Sequence, residues 1–270
     1  MSNVKKNEDL IILKLGGSLI TSKNEPFSLR KEIIQNSINE IIRSNKKLIL
    51  VHGGGAFGHP VAQKYKISGG KKEDIKNQTY GLSKTHEAMI QLNSYIMEKF
   101  LELNFPTISI QTSSIFIKNN GEFYSNLDAI KQCLKLGILP VLYGDIVFSS
   151  DGNFSILSGD KIILLLCQNL KEFNITKVIF AFEEDGIYLY NKTKDKIEVA
   201  DQINCNDIGI LPLASLGNKI DVTGGIKGKL ENIKSICKLN IPVQILNGLV
   251  EGNIFKALNN KELKCTNINI

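Results

Sequence analysis

Four segments set a chemically active side chain beside glycine. Lys14 opens KLGGS (14–18), His59 closes HGGGAFGH (52–59), Asp160 closes SGD (158–160) and Lys229 closes DVTGGIKGK (221–229). Glycine leaves backbone N–H groups uncovered, and helix N-termini favour anions. Loops of this type, converging from several strand ends, suit a polyphosphate. Turn chemistry accounts for any one such loop taken alone. Four in one chain, each carrying Lys, His or Asp, favour a binding site. Lys14 is the most informative residue, because IILKLGG places it where a core strand would take another apolar side chain. A buried lysine needs an anionic partner or a shifted pKa. The alternative is a lysine snorkelling from an edge strand, and the glycines directly after it point to a phosphate ligand. Neither G-x-x-x-x-G-K-[ST] nor a G-x-G-x-x-G after a strand is present, so a P-loop and a dinucleotide fingerprint are excluded.

These side chains need a scaffold that brings strand ends together. The apolar runs 9–15, 47–51, 106–110 and 139–148 read as strands. Residues 29–45 carry Ile33, Ile34, Ile38, Ile41 and Ile42 at helical spacing; 79–103 and 127–137 also read as helices. Helix and strand then alternate through GDKIILLLCQNLKEF, KVIFAF, KLENIKSICKL, PVQIL and EGNIFKAL. The expected fold is α/β, an open, mostly parallel sheet sandwiched by helices in three layers. IFIKNNGEFY, VFSSDGNFSI and YLYNKTKDKIEV read as β-hairpin insertions. A soft boundary divides an N-terminal lobe, 1–175, from a C-terminal lobe, 176–270.

Composition narrows the class further. Hydrophobic residues make up 43% and charged residues 22%, as expected of a soluble globular protein. The net charge of +6 is scattered, without a basic arm for nucleic acid, and fits a small anionic substrate. Five dispersed cysteines form no C-x-x-C pair, which predicts reduced thiols and a cytoplasmic location. The N-terminal residues lack an apolar signal core, and IILLLC (162–167) is too short for a membrane span.

Taken together, KLGGS, HGGGAFGHP, SGD, EDGIY and DVTGGIKGK resemble the amino acid kinase family, in an order and spacing that run nearly the length of the chain. The resemblance implies the family's three-layer αβα fold, an acceptor-binding N-terminal lobe, a nucleotide-binding C-terminal lobe, a homodimer, and ATP with Mg²⁺ carried on it. GGGAFGHP and DVTGG imply transfer of the ATP γ-phosphate to isopentenyl phosphate, for isoprenoid synthesis. On this resemblance Lys14 stabilises the transferring group, and Gly16 and Gly17 contact ATP phosphates. Gly54, Gly55 and Gly159 bind the acceptor, and His59 donates to its phosphate. Asp160 orients the lysines. Lys229, Lys23, Gly224, Gly225 and Asp185 attend the nucleotide, with Lys227 as an alternative to Lys229. No protein side chain is assigned to the metal. The sequence departs from the family pattern at Phe182 and Glu183 in FEEDG, at Lys161 after SGD, and at the KCTNI ending.

An acceptor of this kind needs an apolar wall, for which Ile67, Met89, Leu92 and Ile96 are candidates, ordinary core being the other reading. His52 and His86 read as structural or exposed. Competing functions are a fosfomycin-type kinase, a carbamate or amino-acid kinase of the same fold, and a non-catalytic nucleotide or oxyanion binder.

Overall fold

The computed structural model describes residues 8–22, 25–191, 195–212 and 225–270, excepting the side chains of 225–227. The first half supplies β1 (Glu8–Leu15), α1 (Gly17–Ile20), α2 (Lys31–Ser44), β2 (Leu48–His52), α3 (Gly55–Lys64), α4 (Gln78–Glu102), β3 (Thr107–Ser109) and α5 (Thr112–Ile115). There follow β4 (Phe116–Asn119), β5 (Glu122–Ser125), α6 (Asp128–Lys135), β6 (Leu139–Tyr143), β7 (Asp145–Phe148), β8 (Phe154–Leu157), α7 (Gly159–Asn169) and β9 (Phe173–Phe182). The remainder holds β10 (Tyr188–Asn191), β11 (Lys196–Val199), β12 (Gln202–Asn204), α8 (Gly225–Cys237), β13 (Val243–Asn247), α9 (Asn253–Leu258) and β14 (Cys265–Asn269).

β1 is apolar on both faces because it lies in the middle of a covered sheet. The two-residue period of a strand sends Leu10 and Ile12 to one side and Ile11, Leu13 and Leu15 to the other. The first side packs on α6, α7 and α8, the second on α1, α2, α4 and α9. Helix α2 shows how the sequence dictates such a layer. Its helical period brings Ile34, Ile38 and Ile41 to the buried face, and Asn45 ends it in the left-handed conformation, φ 50°.

Eight strands form one sheet in the order β12-β14-β13-β9-β1-β2-β6-β3. Every pairing is parallel except β13 with β14. The expected hairpins are β4–β5, β7–β8 and β10–β11. Two differences from the sequence reading have local causes. The run 139–148 is not one strand, because Gly144 turns its N–H to the His52 carbonyl, 3.0 Å, and separates β6 from β7. The KCTNI ending, given no element in the sequence reading, forms β14, whose alternate residues Thr266 and Ile268 are buried. The expected lobe boundary at 175 falls within β9, so one continuous sheet underlies both parts of the chain. Among the described residues no helix is long and apolar enough to cross a membrane.

The parallel strands deliver their following loops to one edge, and there the backbone is stapled residue by residue. Gly16 donates to Ala181 at 2.9 Å, Gly53 to Leu15 at 3.0 Å, and Gly248 to Phe182 at 2.8 Å. Beyond the staples, the turns after β1 and β2 lie backbone to backbone. A Cβ on Gly17 would stand 2.3 Å from the Gly55 nitrogen, and one on Gly53 2.7 Å from the Gly17 nitrogen. The Thr21 hydroxyl fastens the same joint, donating to the Gly17 carbonyl at 2.7 Å and accepting from the Ala56 N–H at 2.9 Å. Gly17→Ala should therefore overpack this joint and lower unfolding stability by about 3 kcal/mol in urea titration. An unchanged unfolding midpoint would show that the two turns separate freely.

Candidate active site

Lys14 leaves β1 on the side covered by α7 and meets Asp160 in the first turn of that helix, Nζ to Oδ1 2.6 Å. Both are buried, Lys14 to 4% exposure and Asp160 to 7%. Burial pushes the Lys14 pKa down, the Asp160 carboxylate opposes that shift, and the Lys229 cation adds to it. The ammonium is thus held charged by its partner in a site where charge is expensive. The lysine is buried and its anionic partner is Asp160; β1 is central, so snorkelling from an edge does not apply.

Bare backbone surrounds this pair. Among the described residues, the N–H groups of Gly17, Gly54 and Gly55 find no protein acceptor, whereas that of Gly16, expected at the ATP phosphates, is committed to the Ala181 carbonyl at 2.9 Å. They lie at adjacent strand ends on either side of the glycine joint. Gly159 completes the floor, since a Cβ there would sit 3.3 Å from Lys14 Cε and 3.4 Å from the His52 carbonyl. Ser158 caps α7, its Oγ accepting from the Lys161 N–H at 3.3 Å, so Lys161 contributes backbone to the helix start. His59 is exposed on α3, one helical turn beyond Gly55 and on the same face. Lys229, in the first turns of α8, lies 5.1 Å from the centre of the Phe182 ring, and Lys14 lies 5.4 Å from the same centre.

Other sequence candidates sit differently. Asp185 is held by Lys264 at 2.6 Å and Asn247 at 2.9 Å, contacts that lower its pKa. Glu183 pairs with Arg30 of the α2 N-cap at 2.6 Å. Gly225 opens α8, whereas Lys23, Gly224 and the Lys227 side chain lie outside the described residues. The four apolar candidates do not make one wall. Met89 is beneath α3, with its sulfur 3.0 Å from a Cβ built on Gly54, but Leu92 and Ile96 are fully buried in the core between α4 and the sheet. Ile67 belongs to a separate cluster with Leu82, Ile146 and Phe154, edged by Ala62, Tyr65 and Ile156.

Two features had no clear signal in the sequence. His86 on α4 binds the fully buried Asp145 carboxylate at 2.8 Å, directly after the Gly144 turn. Burial raises the Asp145 pKa. The pairing joins residues far apart in sequence, and only the position of Asp145 in YGD at a strand end hinted at it. His52 is structural but also adjoins the site. Its ring meets the Gly53 carbonyl and Asn93, each at 3.2 Å, and stacks on Tyr143 at 5.5 Å. Asn93 continues to the Ser109 hydroxyl at 2.7 Å.

A profile of the amino acid kinase family matches residues 9–247. The isopentenyl phosphate kinase of Methanocaldococcus jannaschii is 39% identical over 92% of this chain and 95% of its own. That of Methanothermobacter thermautotrophicus is 33% identical, over 96% and 98%. X-ray structures of isopentenyl phosphate kinase superpose with a TM-score of 0.81 at 30% identity, over 96% of this chain and 100% of that one.

Desolvation holds the His52 pKa down at about 4, against 6.5 unperturbed. The neutral ring is the folded form, so stability is fully present above pH 6.5 and is lost as pH falls toward 4. That loss should amount to about 3 kcal/mol. Denaturant melts across this range should show a shallower slope in His52→Asn; an equal slope in both proteins would assign the dependence to other groups.

Proposed function

The chain belongs to the amino acid kinase family, and we propose that it transfers the γ-phosphate of ATP to isopentenyl phosphate, forming isopentenyl diphosphate. The observation that carries this reading is the pair of bare glycine turns, in backbone contact at adjacent strand ends, with a buried lysine at their junction. Two such cradles side by side suit two phosphates that must touch. The similarity to two isopentenyl phosphate kinases over nearly the whole chain supports the choice of acceptor.

A phosphate monoester is already ionised at neutral pH, so its oxygen needs no general base to attack. The barrier lies in bringing two anions together, and the residues answer that barrier electrostatically. The N–H groups of Gly54 and Gly55 hold the acceptor phosphate, and His59, one turn along α3, adds a charge-assisted donor to it. Gly17 offers its N–H to the nucleotide from the other side of the joint. Lys14 and Lys229 draw charge from the phosphoryl group as it moves, and Asp160 keeps Lys14 charged and aimed. Mg²⁺, when bound, neutralises charge on the nucleotide phosphates. Asp160 and Asp185 are already engaged by lysines, which fits a metal carried on the nucleotide.

The acceptor's hydrocarbon end needs apolar surface near α3. The cluster of Ile67, Leu82, Ile146 and Phe154 is enclosed by α3, α4 and the β7–β8 hairpin, which leads into Gly159. Met89 lies between this cluster's helix and the acceptor turn. This cluster takes the place of Leu92 and Ile96, which pack with the strands of the main sheet instead.

The direct test supplies purified protein with ATP, Mg²⁺ and isopentenyl phosphate, with fosfomycin, carbamate and acetylglutamate as competing acceptors. Isopentenyl phosphate should be preferred, and comparable turnover of another acceptor would displace the reading. Lys14→Ala should fold and lose about a hundredfold to a thousandfold in kcat. His59→Ala should weaken the acceptor more than ATP, with His59→Gln partly restored. Near-normal kinetics in both alanine variants would remove these roles. Leu82→Ala should extend the range toward longer prenyl phosphates, at about 0.8 kcal/mol per methylene accommodated. An unchanged chain-length profile in that variant would place the tail elsewhere.

A further inference from the structure

Phe182 ends β9, which pairs with β1 on the side away from β2. Its ring lies over Gly16, where a Cβ would approach Cδ1 to 2.8 Å, and it packs on Phe180 at 5.8 Å between centroids. Both lysines assigned to the transferring phosphate rest within cation–π distance of this one ring, Lys229 at 5.1 Å and Lys14 at 5.4 Å. In the sequence this position read only as the loss of a hydroxyl.

The geometry points to Phe182 as a positioning residue, whose π face holds Lys14 and Lys229 as a spaced pair ready for the oxygens of a nucleotide polyphosphate. The inference rests on the phosphoryl-transfer reading given above. The two cations repel one another, so something between them must hold them near a common point. A second carboxylate would do so, but it would also put net negative charge where a polyanion has to enter. An aromatic ring attracts ammonium groups through its quadrupole and carries no net charge. Asp160 already takes Lys14, and among the described residues no carboxylate pairs with Lys229. The ring therefore supplies to Lys229 what Asp160 supplies to Lys14, without competing with the substrate. A leucine of similar bulk would wall the site equally well but hold neither cation.

Fluorination separates these roles, because it drains the negative potential of the ring face and leaves its shape nearly unchanged. Phenylalanine bearing one, two or three ring fluorines would be incorporated at position 182 of the full-length chain. ATP·Mg²⁺ affinity, kcat and the KM for isopentenyl phosphate would be measured for each. ATP affinity and kcat should fall stepwise, by about tenfold at three fluorines, while the acceptor KM stays constant. Phe182→Leu should lose as much as the trifluorinated protein with its melting temperature retained, and Phe182→Tyr should keep most of the activity. A flat fluorine series, or a leucine variant equal to the parent, would overturn the assignment while leaving the kinase reading intact. If the parent protein fails to use isopentenyl phosphate, the acceptor reading falls, and ATP affinity alone decides. A stepwise decline then supports Phe182, and a constant value overturns it.

Discussion

Backbone touches backbone where the turns after β1 and β2 meet, and the rest of the site follows from that contact. Gly17, Gly53 and Gly55 approach so closely that a single added carbon has no room at any of them. Gly55 also takes a positive φ of 47°, which a side chain would resist. The absence of side chains does two things at once. It lets neighbouring strand ends converge, and among the described residues it leaves the amide protons of Gly17 and Gly55 with no protein acceptor. Thr21 keeps the joint closed from within, so the amide groups are held in place rather than collapsing onto one another.

Around this neutral cradle the charges are arranged with little redundancy. Lys14 sits in the central strand of a sheet buried on both faces, an environment that opposes its charge. A first-turn carboxylate of α7 compensates, at the helix end where negative charge is favoured. The same α7 brings Gly159 against the lysine stem, so one short helix start both aims the cation and shapes the floor. Histidines behave differently according to depth. His52 is buried and neutral beneath the turn, whereas His59 is exposed above it.

Much of this was legible because it rests on local rules. Alternating apolar runs gave the parallel sheet, Asn120-Gly121 and Asp151-Gly152 marked two of the three hairpins, and Lys14 betrayed itself as a cation inside an isoleucine-rich strand. What was illegible depends on long-range packing. Leu92, Ile96 and Met89 share one buried cluster, but only the fold shows that Met89 also reaches the underside of Gly54. His86 and Asp145 are each unremarkable in sequence and meet only when the β7–β8 hairpin folds against α4. Phe182 was read from what its side chain lacks, whereas its effect comes from what its ring faces, Lys229 on α8 and Lys14 on β1. The C-terminal strand β14 was missed because its burial depends on pairing with β12, distant in sequence, and with β13 across α9.

The two glycine turns belong to adjacent parallel strands, β1 and β2, in register from Ile11 with Leu48 to Leu15 with His52. Their separation is therefore not a property of flexible loops. It is the hydrogen-bonding interval of a β-sheet, about 4.8 Å. On the proposed reaction, donor and acceptor phosphates are anchored to neighbouring graduations of this backbone ruler, at the scale needed to bring reacting atoms to about 3–3.5 Å. A ruler made of strand pairing cannot be adjusted by a surface substitution. Discrimination between acceptors is then left to whatever lies beyond the phosphate, which frees the apolar end of the pocket to change without altering the distance over which the group is passed.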